Sequence, residues 1–134
     1  MDTCLTSTSP GVLLVDDNSV ALALMVTCLK DLGCRVVSAG NGREALAILH
    51  AGPSVDLVVT DLRMPVMDGW ELLQNIRASA TLKDLPVILC SGEMEMTMMR
   101  QAEEDGCTVY LVKPVFPDVL FEQILTLLER PAAA

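Results

Sequence analysis

The sequence predicts an α/β protein with a five-stranded parallel sheet that helices cover on both faces, a doubly wound arrangement. Five short runs of β-branched and aliphatic residues alternate with five stretches of helical apolar spacing. The strand-like runs are almost continuously apolar, as is typical of parallel strands buried on both faces. Gly, Pro, Asp or Ser residues bound each run, so the alternation indicates βα units in series.

Each element is predicted from its own local pattern, taken along the chain. The runs of aliphatic residues predict strands at Val12–Val15, Arg35–Val37, Leu57–Thr60, Val87–Cys90 and Val109–Val112. Helical spacing of apolar residues predicts helices at Ser19–Leu32, Gly42–Ala51, Gly69–Ala78, Met94–Asp105 and Pro117–Glu129. The common strand order for such a sheet is 2-1-3-4-5, which places strands one and three side by side.

Length and composition predict one globular domain. The 134 residues, 51% of them hydrophobic, suffice for a single core. We expect a flexible leader at 1–10, the domain at 11–130 and a flexible tail at 131–134, because neither end shows apolar periodicity.

Charge and cysteine usage exclude several function classes. A formal charge of -9 and a pI near 4.3 argue against direct nucleic-acid binding, which depends on clustered Lys and Arg. The most apolar helical stretch, Val20–Leu29, is too short to span a bilayer, and no secretory signal opens the chain. The five cysteines show no paired spacing, so we expect reduced thiols and a cytoplasmic, soluble protein.

Residues that could take part in chemistry follow four of the five predicted strands, whereas the second contributes only Ser38 and Ala39. Asp16 and Asp17 follow the first, Asp61 the third, Ser91 the fourth and Lys113 the fifth. Because ligands of doubly wound sheets bind at the carboxyl ends of the strands, these side chains form the candidate site. Three converging carboxylates repel one another unless a cation lies among them, and oxygen ligands alone favour Mg²⁺.

Each of these residues also has a purely structural interpretation. In "VDDNS", Asn18 or Ser19 can cap the next helix, and the hydroxyl of Ser91 can cap the fourth helix. Lys113 precedes Pro114, which favours an extended backbone and allows a cis peptide bond.

The chain resembles the receiver domains of two-component response regulators, the CheY-like fold. The motifs that carry this resemblance, in order, are "VDDN", "TDLRMPVMDGW", "LCSGE" and "YLVKP", and it covers residues 11 to 130. It implies that Asp61 is the phosphoacceptor, and that Asp16, Asp17, Asp61 and the Arg63 backbone carbonyl hold Mg²⁺. It further implies that Ser91 is the switch hydroxyl, Tyr110 the switch aromatic residue and Lys113 the phosphate partner.

The resemblance also implies partners and a mode of action. A histidine kinase or a histidine phosphotransfer protein would donate the phosphoryl group, and the phosphorylated domain would regulate a downstream protein. Such a domain is a phosphoacceptor and not an enzyme, although it assists its own phosphorylation and dephosphorylation. Arg63 and Glu93 occupy positions that tune hydrolysis of the acyl phosphate in the family, and Gly92 stands where Ala is usual.

Two other functions compete with the phosphoacceptor. A Mg²⁺-dependent phosphatase of the haloacid dehalogenase type would carry a second Asp two residues after its nucleophile, where this chain has Arg63. A pseudo-receiver would only dock partners, and such a module more often lacks Asp61 or Lys113.

The first predicted helix is apolar on more than one side. The residues expected to face the sheet are Ala21, Leu24, Met25, Cys28 and Leu32. Leu22, Val26 and Leu29 form a neighbouring face. Either Leu29 extends the core while Leu22 and Val26 are scattered surface residues, or Leu22 and Val26 form a strip for a helix of the phosphodonor. Formation of a homodimer through the same strip is the competing hypothesis.

Overall fold

In the computed structural model, residues 9–52, 54–92 and 96–128 are described. Within them five strands alternate with five helices. The strands are β1 (Gly11–Val15), β2 (Arg35–Ala39), β3 (Leu57–Asp61), β4 (Val87–Ser91) and β5 (Val109–Val112). The helices are α1 (Ser19–Asp31), α2 (Gly42–Ala51), α3 (Gly69–Ala78), α4 (Met96–Glu104) and α5 (Pro117–Leu128).

The sheet has the order β2-β1-β3-β4-β5, and its neighbouring strands pair in parallel. This confirms the predicted fold class and strand order. The leader up to residue 8, the tail, the start of helix four at Met94 and the end of helix five at Glu129 fall outside the described residues.

Side chains alternate between two cores, one on each face of the sheet. On one face, Leu29 of α1 and Leu120 and Ile124 of α5 pack against inward-facing strand residues. On the other face, helices α2, α3 and α4 cover a second cluster that includes Leu13 and Leu72. The strands therefore read as continuously apolar because both of their faces are buried.

Local signals explain where the helices begin. The Asn18 side chain accepts bonds from Val20 N at 3.1 Å and Ala21 N at 3.0 Å, so Asn18 is the N-cap of α1. Asn41 caps α2 by accepting from Glu44 N at 2.8 Å. These bonds satisfy backbone donors that the first turn leaves without helical partners.

The predicted faces of α1 are wrong in part, although Met25 packs against the core as expected. Leu24 was expected to face the sheet, but it is 64% exposed, and Ala21 and Leu32 are also exposed. Leu22 and Val26 are half-buried against the core that α1 and α5 share, so they do not form an exposed strip. Because this helix is apolar around most of its circumference, spacing alone did not determine which face turns inward.

Candidate functional site

Parallel register brings the predicted site residues to one edge of the sheet. Val15 of β1 pairs with Thr60 of β3. Asp16 and Asp61 are the next residues after this pair, one on each strand. Asp61 pairs in turn with Cys90, the residue before Ser91. Ser91 of β4 pairs with Val112 of β5, and Lys113 is the next residue after Val112. Strand ends, which local sequence specifies, thus bring together residues that lie far apart along the chain.

The three acids form a tight cluster of oxygen ligands. Carboxylate oxygens of Asp16, Asp17 and Asp61 all lie within 4.8 Å of one another. Asp61 is only 8% exposed, whereas Asp17 is exposed and Asp16 is intermediate. Hard divalent cations such as Mg²⁺ prefer such oxygen-only donor sets, so the residues present fit Mg²⁺.

Lys113 supplies a positive charge directly beside this cluster. Its Nζ forms an ion pair with Asp61 Oδ1. The Lys113–Pro114 peptide bond is cis, one of the two geometries that the sequence allowed. The backbone N of Lys113 donates to Ser91 O at 2.8 Å, so the sheet itself holds the lysine beside the strand that bears Ser91.

Burial dominates the electrostatics at Asp61. Burial raises the pKa of Asp61, the hydrogen bond and charge of Lys113 lower it, and Asp16 raises it again. Burial lowers the pKa of Lys113, but the hydrogen bond and charge of Asp61, together with the charge of Asp16, outweigh that effect and leave the pKa raised. The Asp61 carboxylate is therefore held in a buried position beside two further acids, where an added cation would be stabilised.

An apolar cavity of about 200 Å³ lies beside the acids, between α1, α5 and the carboxyl edge of the sheet. Aliphatic side chains make up most of its wall, and Cys90 is part of it. Burial, with a contribution from Asp61, raises the pKa of the Cys90 thiol to about 12. The thiol is therefore neutral at physiological pH and fills space, as the sequence predicted for Cys28, Cys34, Cys90 and Cys107, all of which are free.

Ser91 and Tyr110 lie on the same face of neighbouring strands. Tyr110 pairs with Leu89, two residues before Ser91, and strand residues two apart point to one side. Ser91 is buried at 4% exposure, and half-buried Tyr110 packs against the core under α2, α3 and α4. Ser91 ends β4, and residues 93–95 lie outside the described part of the chain, so the interpretation of Ser91 as a helix cap stays a prediction.

The loop from β3 to α3 contains contacts that the motif analysis missed. A Cβ atom added to Gly69 would collide with the Asp61 carbonyl oxygen, so only glycine allows α3 to start against the end of β3. Asp68 forms a capping box with Glu71, with bonds of 2.9 and 3.1 Å. The "DG" pair in the motif was the available signal. The capping bonds show that Asp68 is the N-cap of α3.

The remaining predicted residues differ in what the structure describes. Arg63 is exposed and lies two residues after Asp61, at the start of this loop. Glu93 lies outside the described residues, so its role with Arg63 in hydrolysis of the acyl phosphate stays a prediction. Among the described residues, no helix combines the length and apolar character needed to cross a membrane.

Comparison with known proteins identifies the family. The family model described as response regulator receiver domain matches residues 12–125. The chain is 40% identical over 119 residues to two-component response regulator ORR11 of Oryza sativa subsp. indica, covering 87% of this chain and 81% of that protein. It is 38% identical over 120 residues to chemotaxis protein CheY of Pseudomonas aeruginosa, covering 89% and 96%.

Solved structures show the same likeness. The Vibrio cholerae chemotaxis protein CheY4 superimposes with a TM-score of 0.84 at 30% identity, covering 90% of this chain and 100% of that chain. A receiver domain of Francisella response regulator 1452 gives a TM-score of 0.82 at 28% identity, covering 89% and 96%.

Proposed function

The chain belongs to the response regulator receiver domain family, and on that premise we propose that Asp61 accepts a phosphoryl group from a phosphohistidine donor with Mg²⁺. The observation that carries the proposal is the ion pair of Lys113 with a carboxylate that lies inside a three-acid cluster. A structural aspartate would gain nothing from two further acids within 4.8 Å.

Asp16, Asp17 and Asp61 would hold the metal through their carboxylates, together with the backbone carbonyl of Arg63. When bound, Mg²⁺ would neutralise phosphoryl oxygens and orient the phosphoryl group for in-line transfer. An Asp61 oxygen then forms the new bond to phosphorus. The bond from phosphorus to the donor imidazole breaks, and its electron pair remains on the imidazole nitrogen.

Lys113 and Ser91 would read out the modification. The ammonium of Lys113, already beside Asp61, would bind a phosphoryl oxygen, and the Ser91 hydroxyl would donate to another. Movement of Ser91 toward the phosphoryl group frees space on the face that it shares with Tyr110. The tyrosine ring, half-buried on that face, would turn into this space and change the outer surface of β5.

The family implies histidine kinases or histidine phosphotransfer proteins as donors. We assign the chain to a reducing compartment, the cytoplasm, because its four described cysteines are free thiols. The phosphorylated form would regulate a downstream protein through the altered surface.

Intact-mass measurement after incubation with Mg²⁺ and phosphoramidate tests the proposal. We expect one added phosphoryl group, and Asp61→Asn should abolish it. Asp68→Asn is the matched control, because Asn still caps α3 and the acid of the same loop is removed. Label that survives Asp61→Asn, or no label on the parent protein, would refute Asp61 as the acceptor and favour a module that only docks partners.

Metal dependence is tested in the same assay. Labelling should disappear in EDTA, because the clustered acids repel an incoming phosphoryl dianion. Asp17→Ala should weaken Mg²⁺ binding more than it affects urea unfolding, since Asp17 is exposed. Undiminished labelling in EDTA would rule out the metal.

A further inference from the structure

The loop between β3 and α3 turns at a valine in the left-handed region. Val66 has a φ of 71° and is the only non-glycine residue with positive φ in the part of the chain that the structure describes. Met67 N donates to Pro65 O at 2.8 Å, which closes a three-residue γ-turn around Val66. This turn is rare and strained, and β-branched residues disfavour positive φ. Glycine would adopt the same backbone at lower free energy.

Packing does not explain the choice of valine. The Val66 side chain is 69% exposed, so burial of apolar surface offsets little of the strain. Strained residues of this kind cluster at functional sites, where surrounding structure holds them in place. The observation calls for a role of the turn itself.

Backbone hydrogen bonds hold the loop on both sides of the turn. Leu62 N donates to Cys90 O at 2.9 Å, and Leu62 O accepts from Gly69 N at 2.8 Å. Met67 O accepts from Gly42 N at 2.9 Å, which ties the far side of the turn to the start of α2. Arg63 lies between the bonded Leu62 and the γ-turn. The orientation of its peptide group is therefore restricted from both directions.

We propose that Val66 is a positioning residue for the cation site, acting through the backbone carbonyl of Arg63. This inference rests on the proposed function, which names that carbonyl as a metal ligand. Valine has less backbone freedom than glycine, so a turn closed around Val66 leaves the preceding peptide groups less freedom. The entropy of ordering the carbonyl is then lost during folding and not during metal binding. Glycine at position 66 would relieve the backbone strain, but the peptide groups before it, including the Arg63 carbonyl, would regain conformational freedom.

Two measurements on Val66→Gly test the inference. The urea midpoint of the metal-free protein should rise, because strain is relieved. The Mg²⁺ dissociation constant, measured by calorimetry, should rise about tenfold, the usual lower size of an effect from a residue behind a metal ligand. Val66→Ile keeps the β-branch and should match the parent in both measurements.

A matched valine separates this role from a general effect of glycine. Val119 is 45% exposed, lies in the first turn of α5 and has no positive φ. Val119→Gly should lower the urea midpoint and leave the Mg²⁺ dissociation constant unchanged. Opposite movement of stability and affinity is thus expected for Val66 only.

The outcomes distinguish the two proposals. A Val66→Gly protein that binds Mg²⁺ like the parent, or that unfolds at lower urea, overturns the role of Val66 and leaves the acceptor site standing. A parent protein that binds no Mg²⁺ overturns the metal site and this inference together.

Discussion

The two ends of the parallel sheet use charged side chains in opposite ways. At the carboxyl end, three carboxylates crowd within 4.8 Å of one another, and Lys113 pairs with one of them. At the amino end, Arg77 donates to backbone carbonyls of two separate loops. The first arrangement places like charges together, whereas the second satisfies a charge with neutral acceptors.

Arg77 connects the end of α3 to the loops that enter β4 and β5. Its Nε and Nη2 donate to Gly106 O at 2.9 and 2.7 Å. Its Nη1 donates to Lys83 O at 3.0 Å and to Leu85 O at 2.7 Å. Bonds from a charged donor are stronger than neutral ones, so this residue stabilises the fold.

Residues that stabilise the fold and residues that carry the proposed function therefore lie at opposite ends of the strands. Burial of the Asp61 carboxylate beside two further acids lowers the stability of the metal-free protein, and the cluster makes sense only if a cation or a phosphoryl group comes to it. The arginine contacts offset such a cost at a distance from the site. Substitutions at the amino end should therefore change stability, and substitutions at the carboxyl end should change chemistry.

Arg77→Ala should give the largest loss of stability. Removing the guanidinium leaves partly buried carbonyls without their donor, at a cost of about 2–3 kcal/mol in the free energy of unfolding. Arg100→Ala removes the same charge from an exposed position and should change stability by no more than about 0.5 kcal/mol. Urea unfolding measures both variants. Slower labelling of the folded Arg77→Ala protein by phosphoramidate would contradict the separation of stability and function between the two ends.

Two glycines, one at each end of the sheet, should differ in how much an alanine substitution lowers stability. Gly106 has a φ of 101°, and an added Cβ would lie 2.8 Å from Arg77 Nε. Gly106→Ala should cost about 1–2 kcal/mol, since it forces an L side chain into the left-handed region. A Cβ on Gly92, beside Ser91, would meet nothing within 4 Å. Gly92→Ala should therefore shift stability by at most about 0.5 kcal/mol; equal losses at both glycines would contradict the prediction.

Asp61→Asn should stabilise the metal-free protein in a pH-dependent way. Since the pKa of Asp61 is raised in the folded state, protonated Asp61 contributes stability below the ordinary pKa of 3.8. That contribution is lost as pH rises through the folded pKa. The advantage of the variant should thus grow with pH and level off on the order of 1 kcal/mol, the size of one screened charge contact.

Urea unfolding in EDTA at a series of pH values provides the test for Asp61→Asn. In this variant the Lys113 ammonium is still attracted by the charge of Asp16. Loss of the ion pair with Asp61 therefore does not leave Lys113 without a negative neighbour. An advantage that stays constant or shrinks as pH rises would show that Asp61 is not destabilised by its surroundings.

Arg35→Ala should have a smaller effect than Arg77→Ala, although Arg35 also donates to the exposed backbone carbonyls of Ser9 and Ser54. Arg35 Nη2 lies 3.4 Å from Asp56 Oδ2, and both side chains are nearly half exposed at 48% and 44%. An exposed pair of this kind contributes about 0.2–1 kcal/mol. Loss of stability in this range, measured by urea unfolding, would mark Arg77 as the principal charged contact at the amino end. A loss as large as that of Arg77→Ala would contradict this ranking.

Local sequence determined most of the fold and the composition of the site. The aliphatic runs ending in Asp16, Asp61, Ser91 and Lys113 predicted the strands and which residues meet at the carboxyl edge. This worked because a parallel strand buried on both faces needs apolar residues throughout, and its end is where polar residues first become tolerable. Asn18 as helix cap was likewise readable from its neighbours, because capping is a contact within one turn.

Tertiary structure decided the features that depend on distant partners. It turned Leu24 outward and Leu22 and Val26 inward on α1, because strand and helix positions, and not helical spacing, select the buried face of a largely apolar helix. It also paired Arg77 with Gly106, 29 residues away. The left-handed turn at Val66 belongs to the same class, since bonds donated by Gly42 N and Gly69 N, and one accepted by Cys90 O, hold the loop around it. A local window of sequence does not contain these partners, so only the folded chain reveals them.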